Sequence, residues 1–146
     1  MDNPSPAESA VRKNKLILFV DDSSQSCELF KILLEGEGYQ VVTACDPDEA
    51  LKKVSQCAPD LIITDLMMPG TGGGYGIIKR LQVEGTSHIP IIAMSASGMD
   101  LSTEQMLREE ANVVEFIPKP FQKSLLVDVL SRLLKTPPQS GPAKPS

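Results

Sequence analysis

The sequence predicts an α/β fold, a doubly wound five-stranded parallel sheet in the order 2-1-3-4-5. Three observations predict it. Five short apolar runs alternate with helical segments, and such alternation with short connections builds a parallel sheet with right-handed crossovers and helices on both faces. The third run, Leu61 to Thr64, is continuously apolar between Pro59-Asp60 and Pro69-Gly70, as expected of a central strand buried on both faces. The chain has 146 residues, 41% of them apolar, which suits one globular domain with one core.

The elements follow in order. Residues 1–13 hold Pro4, Pro6, Ser5 and Ser9 with few apolar residues and read as a flexible tail. Lys15 to Val20 is the first strand, ending in Asp21-Asp22. Ser23 or Ser24 can cap a helix to about Glu37, with Leu29, Phe30, Leu33 and Leu34 at helical spacing and Gly36 and Gly38 at its end. Tyr39 to Thr43 is the second strand. Asp46-Pro47-Asp48-Glu49 carries a strong helix start, with Asp46 as N-cap, Pro47 at the first helical position and Glu49 at the third. That helix runs to about Gln56 and buries Ala50, Leu51 and Val54.

After the third strand, the glycine-rich run from Gly70 leads into a helix through Ile77, Ile78 and Leu81. Pro90 to Met94 is the fourth strand, with proline tolerated at its start. Ser102-Thr103-Glu104-Gln105 resembles a capping box opening a fourth helix to about Glu110. Val113 to Ile117 is the fifth strand. Phe121 to about Lys135 is the last helix, with Leu125, Leu126, Val129, Leu130 and Leu133 as its inward stripe. Residues 136–146 form a second flexible tail, or the start of a linker, rich in proline, so the predicted domain is 14–135.

Composition excludes several classes. No apolar run approaches the roughly 20 residues needed to span a bilayer, and the polar N-terminus lacks the apolar core of a secretion signal. Cys27, Cys45 and Cys57 make no C-x-x-C pair and read as reduced thiols of a cytoplasmic protein, not a metal site. A net charge of −5 and no dense Lys/Arg cluster argue against direct nucleic-acid binding.

The expected strand order sets the first and third strands side by side. Asp21, Asp22 and Asp65 then converge at the sheet edge where open α/β sheets keep their sites. Three packed carboxylates repel unless a cation sits among them, and oxygen ligands of this kind suit magnesium. Ser95 leaves the fourth strand at this edge, and Lys119 follows the fifth. Each residue alone has an ordinary reading: Asp65 a turn residue, Asp21-Asp22 a helix cap, Ser95 a turn serine, Lys119 a solvated lysine. Together they suggest phosphoryl chemistry, with a carboxylate nucleophile forming an acyl phosphate and Mg2+ and lysine neutralising the transferring group. Asp65 is the best placed nucleophile, between the acidic pair and Ser95 with Lys119.

The set Asp21-Asp22, Asp65-Leu66-Met67-Met68-Pro69, Ser95-Ala96 and Lys119-Pro120-Phe121 resembles the receiver domain of two-component response regulators, with its flavodoxin-like (βα)5 fold. The resemblance spans nearly everything between the tails. It implies that Asp65 accepts a phosphoryl group from a histidine kinase or histidine phosphotransfer protein. It implies that Asp22, Asp65 and the Met67 carbonyl bind Mg2+, Asp21 helping through water, and that Ser95 and Lys119 engage the phosphoryl group. Phe116 matches the aromatic whose rotamer follows phosphorylation, although simple strand burial also explains it. The surface of the fourth helix, fifth strand and last helix would carry the signal to a downstream partner protein or detached output domain, or into a phosphorylation-dependent homodimer. No enzymatic activity is expected beyond Mg2+-dependent autophosphorylation and autodephosphorylation at Asp65. The chain is expected to be a stand-alone receiver or one excised from a longer regulator.

Some features depart from the pattern. Asn112 stands where the family often has glycine before the fifth strand, and the run from Gly70 to Gly76 is richer in glycine than the family needs. His88, the only histidine, reads as a surface residue. Two rivals share parts of the picture. An aspartate-nucleophile phosphatase usually has an acid two residues after the nucleophile, whereas position 67 is Met. A flavin binder would carry a hydroxyl-rich phosphate loop after the first strand, where two acids stand here.

Overall fold

The computed structural model describes residues 15–66, 73–83, 88–95, 105, 109–110, 112–118 and 122–134. The strands are β1 (Leu16–Val20), β2 (Gln40–Ala44), β3 (Leu61–Asp65), β4 (Ile91–Ser95) and β5 (Val113–Pro118). All pairings are parallel and the order is 2-1-3-4-5, as expected. The helices among the described residues are α1 (Ser24–Gly36), α2 (Pro47–Cys57), α3 (Gly73–Val83) and α4 (Lys123–Leu133).

Cap chemistry sets the starts of α1 and α2. The Ser23 hydroxyl accepts from the Ser26 N–H at 3.2 Å. Asp46 Oδ1 accepts from the Glu49 N–H at 2.7 Å, and Glu49 Oε1 accepts in return from the Cys45 N–H at 2.7 Å. That reciprocal pair satisfies two amides that the helix itself cannot. Helix α2 ends at Ala58, whose φ of 48° lies in the left-handed region that a side chain disfavours.

Alternate strand residues face opposite layers. Leu18, Val20, Ile62 and Ile91 pack with Ala50, Val54, Ile77 and Leu81 from α2 and α3. Ile17, Phe19, Ile63 and Ile92 pack with Phe30 and Leu34 of α1 and Leu126 and Leu130 of α4. The rings of Phe19 and Phe30 stack with centroids 4.1 Å apart.

Two helix faces differ from expectation. Leu29 is exposed, and Cys27 takes an inward position with Phe30 and Leu34 instead. Leu125 is likewise exposed, while Val127 joins Leu126, Val129 and Leu130 inside. In each helix the apolar residues outnumber the positions one face can bury, and packing against the sheet selects among them. Helix α3 begins at Gly73, inside the glycine run. Strand β5 bulges, because Ile91 pairs with Val113 but Ile92 with Glu115, leaving Val114 exposed on the bulged strand. The predicted tails and most of the predicted fourth helix lie outside the described residues. Within that helix, one i to i−4 bond is described, from the Glu109 N–H to the Gln105 carbonyl at 3.2 Å.

Candidate functional site

Register builds the site. Val20 pairs with Thr64, so the residues that follow, Asp21 and Asp65, emerge side by side at the C-terminal edge of the sheet. One carboxylate oxygen each from Asp21, Asp22 and Asp65 lies within 4.8 Å of the others. Asp21 and Asp65 are buried, and Asp22 is exposed.

Asp21 is fixed from several directions. Its N–H donates to the Ala44 carbonyl at 3.1 Å, extending the β1–β2 ladder by one bond. Its Oδ1 accepts from the Ser23 N–H at 2.9 Å, a turn of the kind aspartate forms with backbone two residues on. Its carbonyl accepts from the Cys27 thiol at 3.3 Å. Asp65 closes β3, its Cα opposite Met94. The next amide, Leu66 N–H, bonds the Met94 carbonyl at 2.9 Å, and the Thr64 hydroxyl bonds the Asp65 carbonyl at 3.2 Å. Backbone pairing with β4 therefore continues past the acid, which anchors it at the edge.

Three clustered carboxylates are a hard, oxygen-only donor set carrying high negative charge, which matches the ligands that Mg2+ takes. The fit is one of chemistry: acids from two adjacent strand ends, two of them already withdrawn from water.

Ser95 is the last residue of β4, opposite Pro118 on β5, so its backbone stands at the same edge. Its side chain lies outside the described residues, as do Met67 and Lys119. Phe116 is buried in the layer beneath α2 and α3. His88 is exposed, as expected.

Two local features were not legible in the sequence. The first is Cys27, whose thiol sits behind Asp21. Burial pushes that thiol from its ordinary value of 9.0 up to about 12, with Cys45 and Asp21 adding to the effect. The second is a polar bracket before β5. Buried Asn112 donates to the Ile78 carbonyl at 3.2 Å and accepts from Gln82 at 2.8 Å. Gln82 also reaches Glu110 at 2.8 Å, and Lys79 meets Glu110 at 3.0 Å. Asn112 therefore ties β5 to α3, a role its position before the strand did not reveal.

Comparison with known proteins agrees with this architecture. A family model described as the response regulator receiver domain matches residues 17–131. The response regulator GtcR of Aneurinibacillus migulanus is 37% identical over 108 residues, covering 74% of this chain and 43% of that protein. The DNA-binding response regulator MtrA of Mycobacterium tuberculosis is 34% identical over 118 residues, covering 80% of this chain and 50% of that protein. The chain thus spans about half the length of the curated relatives it matches. A crystal structure of a response regulator receiver domain protein from Clostridium thermocellum aligns with a TM-score of 0.75 at 28% identity, covering 83% of this chain and 94% of that one. Among the described residues no helix is long and apolar enough to cross a membrane. The chain belongs to the response regulator receiver domain family, the receiving module of phosphorylation-based two-component signalling.

Proposed function

We propose that Asp65 is the phosphoacceptor and that the chain takes its phosphoryl group from the phosphohistidine of a histidine kinase or histidine phosphotransfer protein. The observation that carries this reading is the cluster of Asp21, Asp22 and Asp65, with carboxylate oxygens within 4.8 Å of one another at the C-terminal sheet edge. Asp65 ends the central strand β3, paired to Met94 of β4 and one residue beyond the pairing of Thr64 with Val20 of β1, so the sheet anchors its backbone where an in-line displacement needs a positioned nucleophile. Asp21 and Asp22, with Asp65 and the Met67 carbonyl, would hold Mg2+, which would neutralise charge on the transferring group.

In the transfer, a carboxylate oxygen of Asp65 forms the new bond to phosphorus. The phosphorus–nitrogen bond to the donor imidazole breaks, and the imidazole leaves with the electron pair. Lys119 and the Ser95 hydroxyl would bind the phosphoryl oxygens. Water attacking the acyl phosphate reverses the modification, so turnover stops at the chain's own phosphorylation and dephosphorylation. Phe116 and the surface of residues 102–110, β5 and α4 would pass the change to a partner protein, a tethered output domain or a second copy. MtrA is named as DNA-binding, but it is about twice as long as the stretch matched here. A net charge of −5 argues against direct nucleic-acid binding, so readout goes through a partner. A cytoplasmic location follows from the same reading, because the kinase's phosphohistidine is formed from ATP.

The test is direct. The chain is incubated with Mg2+ and acetyl phosphate, and intact mass is measured. One labile phosphoryl adduct on the wild type, absent from Asp65→Asn, is expected. An unmodified wild type, or an adduct that survives in Asp65→Asn, would overturn the assignment.

A further inference from the structure

We infer that Cys27 and Cys45 form a thiol pair that closes into a reversible disulfide when it meets a low-molecular-weight disulfide oxidant. The two residues are 18 positions apart in the chain, and the fold brings them together. Parallel pairing sets Val20 opposite Ala44, so the start of α1 and the end of β2 share one corner. The Cys27 sulfur lies 3.7 Å from the carbonyl oxygen of Ala44, and Cys45 is the next residue. Burial and, after it, the nearby Cys45 thiol hold the Cys27 thiol above its ordinary value. Cys57 is out of reach, because it closes α2, whereas Cys45 precedes that helix. At a rise of 1.5 Å per residue they are separated by roughly 17 Å, against the ~4 Å between the Cβ atoms of a disulfide.

Burial divides the labour. Cys45 and Cys57 are exposed, while Cys27 is buried. Cys45, as thiolate, attacks one sulfur of the oxidant. The oxidant's S–S bond breaks, and one small thiol leaves with a proton from solvent. Cys27 gives its S–H proton to solvent and attacks the Cys45 sulfur, expelling the second small thiol. Two protein thiols are oxidised by two electrons in all, and one small disulfide is reduced to two thiols.

Closure would act on the acidic corner through the backbone. The Cys27 thiol is the donor that the Asp21 carbonyl accepts, and a disulfide has no proton to donate. The bridge would also tie the first turn of α1 to the residue before the Asp46 cap. The bridge itself is independent of the phosphoacceptor assignment, and only its consequence for Asp21 touches that site.

The test uses oxidised glutathione on the full chain, followed by unfolding in guanidinium and alkylation. Intact mass then counts free thiols. The reduced chain takes three labels, one for each cysteine, and the oxidised Cys57→Ser variant is expected to take none, with no glutathione adduct. Dithiothreitol should restore both labels. In Cys45→Ser, an exposed and tolerant position, Cys27 should remain fully alkylated. Two retained labels in oxidised Cys57→Ser, or a persistent glutathione adduct on Cys45, would overturn the proposal. The same count in Asp65→Asn should be unchanged, which separates this inference from the phosphoryl reading.

Discussion

Strand β3 has an aspartate at each end, and the two differ in almost everything but chemistry. Asp60 stands before the strand and is exposed. Its Oδ2 accepts from the Leu16 N–H at 2.8 Å, and its own N–H donates to the Leu16 carbonyl at 2.8 Å. It joins the entrance of β3 to that of β1, a local structural task. Asp65 ends the same strand, is buried, and faces two further carboxylates. In a parallel sheet every strand end of one kind lies at one edge. Here the acid at the C-terminal edge meets the acids of its neighbours, and the one at the other edge bonds the backbone of Leu16. Position along the strand, not residue type, separates a site from a fastening.

The largest expected break in this comparison is chemical. Asp65→Asn should take up no phosphoryl group from acetyl phosphate with Mg2+, while Asp60→Asn should take it up fully, as read by intact mass. Equal loss in both variants would mean that the two ends are coupled, and the contrast would fall.

Magnesium sharpens the contrast next. Binding at ten times the dissociation constant stabilises by about 1.4 kcal/mol, which corresponds to about 3–6 °C of melting temperature for a domain of this size. The shift should appear in the wild type and in Asp60→Asn and disappear in Asp21→Asn, measured by thermal denaturation.

Removing the fastening should cost stability without touching the site. Asp60→Ala takes away the acceptor of the Leu16 N–H and should lower stability by about 1 kcal/mol. A lower urea midpoint with an unchanged magnesium shift is the expected pair of results.

The smallest effect comes from the turn that leads to Asp60. Ala58 sits at φ 48°, a conformation that glycine adopts without the side-chain clash. Ala58→Gly should gain about 0.5 kcal/mol, the relief of that clash exceeding the added freedom of the unfolded chain. A raised urea midpoint would show it, and a lowered one would mean that the left-handed cap is not strained.

Much of this protein was legible in the sequence alone. Strand β3 was marked by its apolar run and its bounding prolines, and Asp65 by ending it. The start of α2 was spelled out by Asp46, Pro47 and Glu49. These signals act over three or four residues, through cap geometry and the side-chain period, so they survive in one dimension. Alternating elements indicated a parallel sheet, and the expected doubly wound order 2-1-3-4-5 was enough to bring Asp21, Asp22 and Asp65 to one edge.

Tertiary structure decided the rest. Leu29 and Leu125 satisfied their helical periods yet lie outside, because a helix buries only the stripe that its neighbouring strands can cover. Asn112 became a bracket to α3 only once β5 lay beside β4 and across from Gln82. Cys27 and Cys45 became neighbours only when β2 paired with β1. Each of these contacts joins residues roughly 20 or more apart in the chain or depends on which face of an element is covered, and no local pattern encodes that distance.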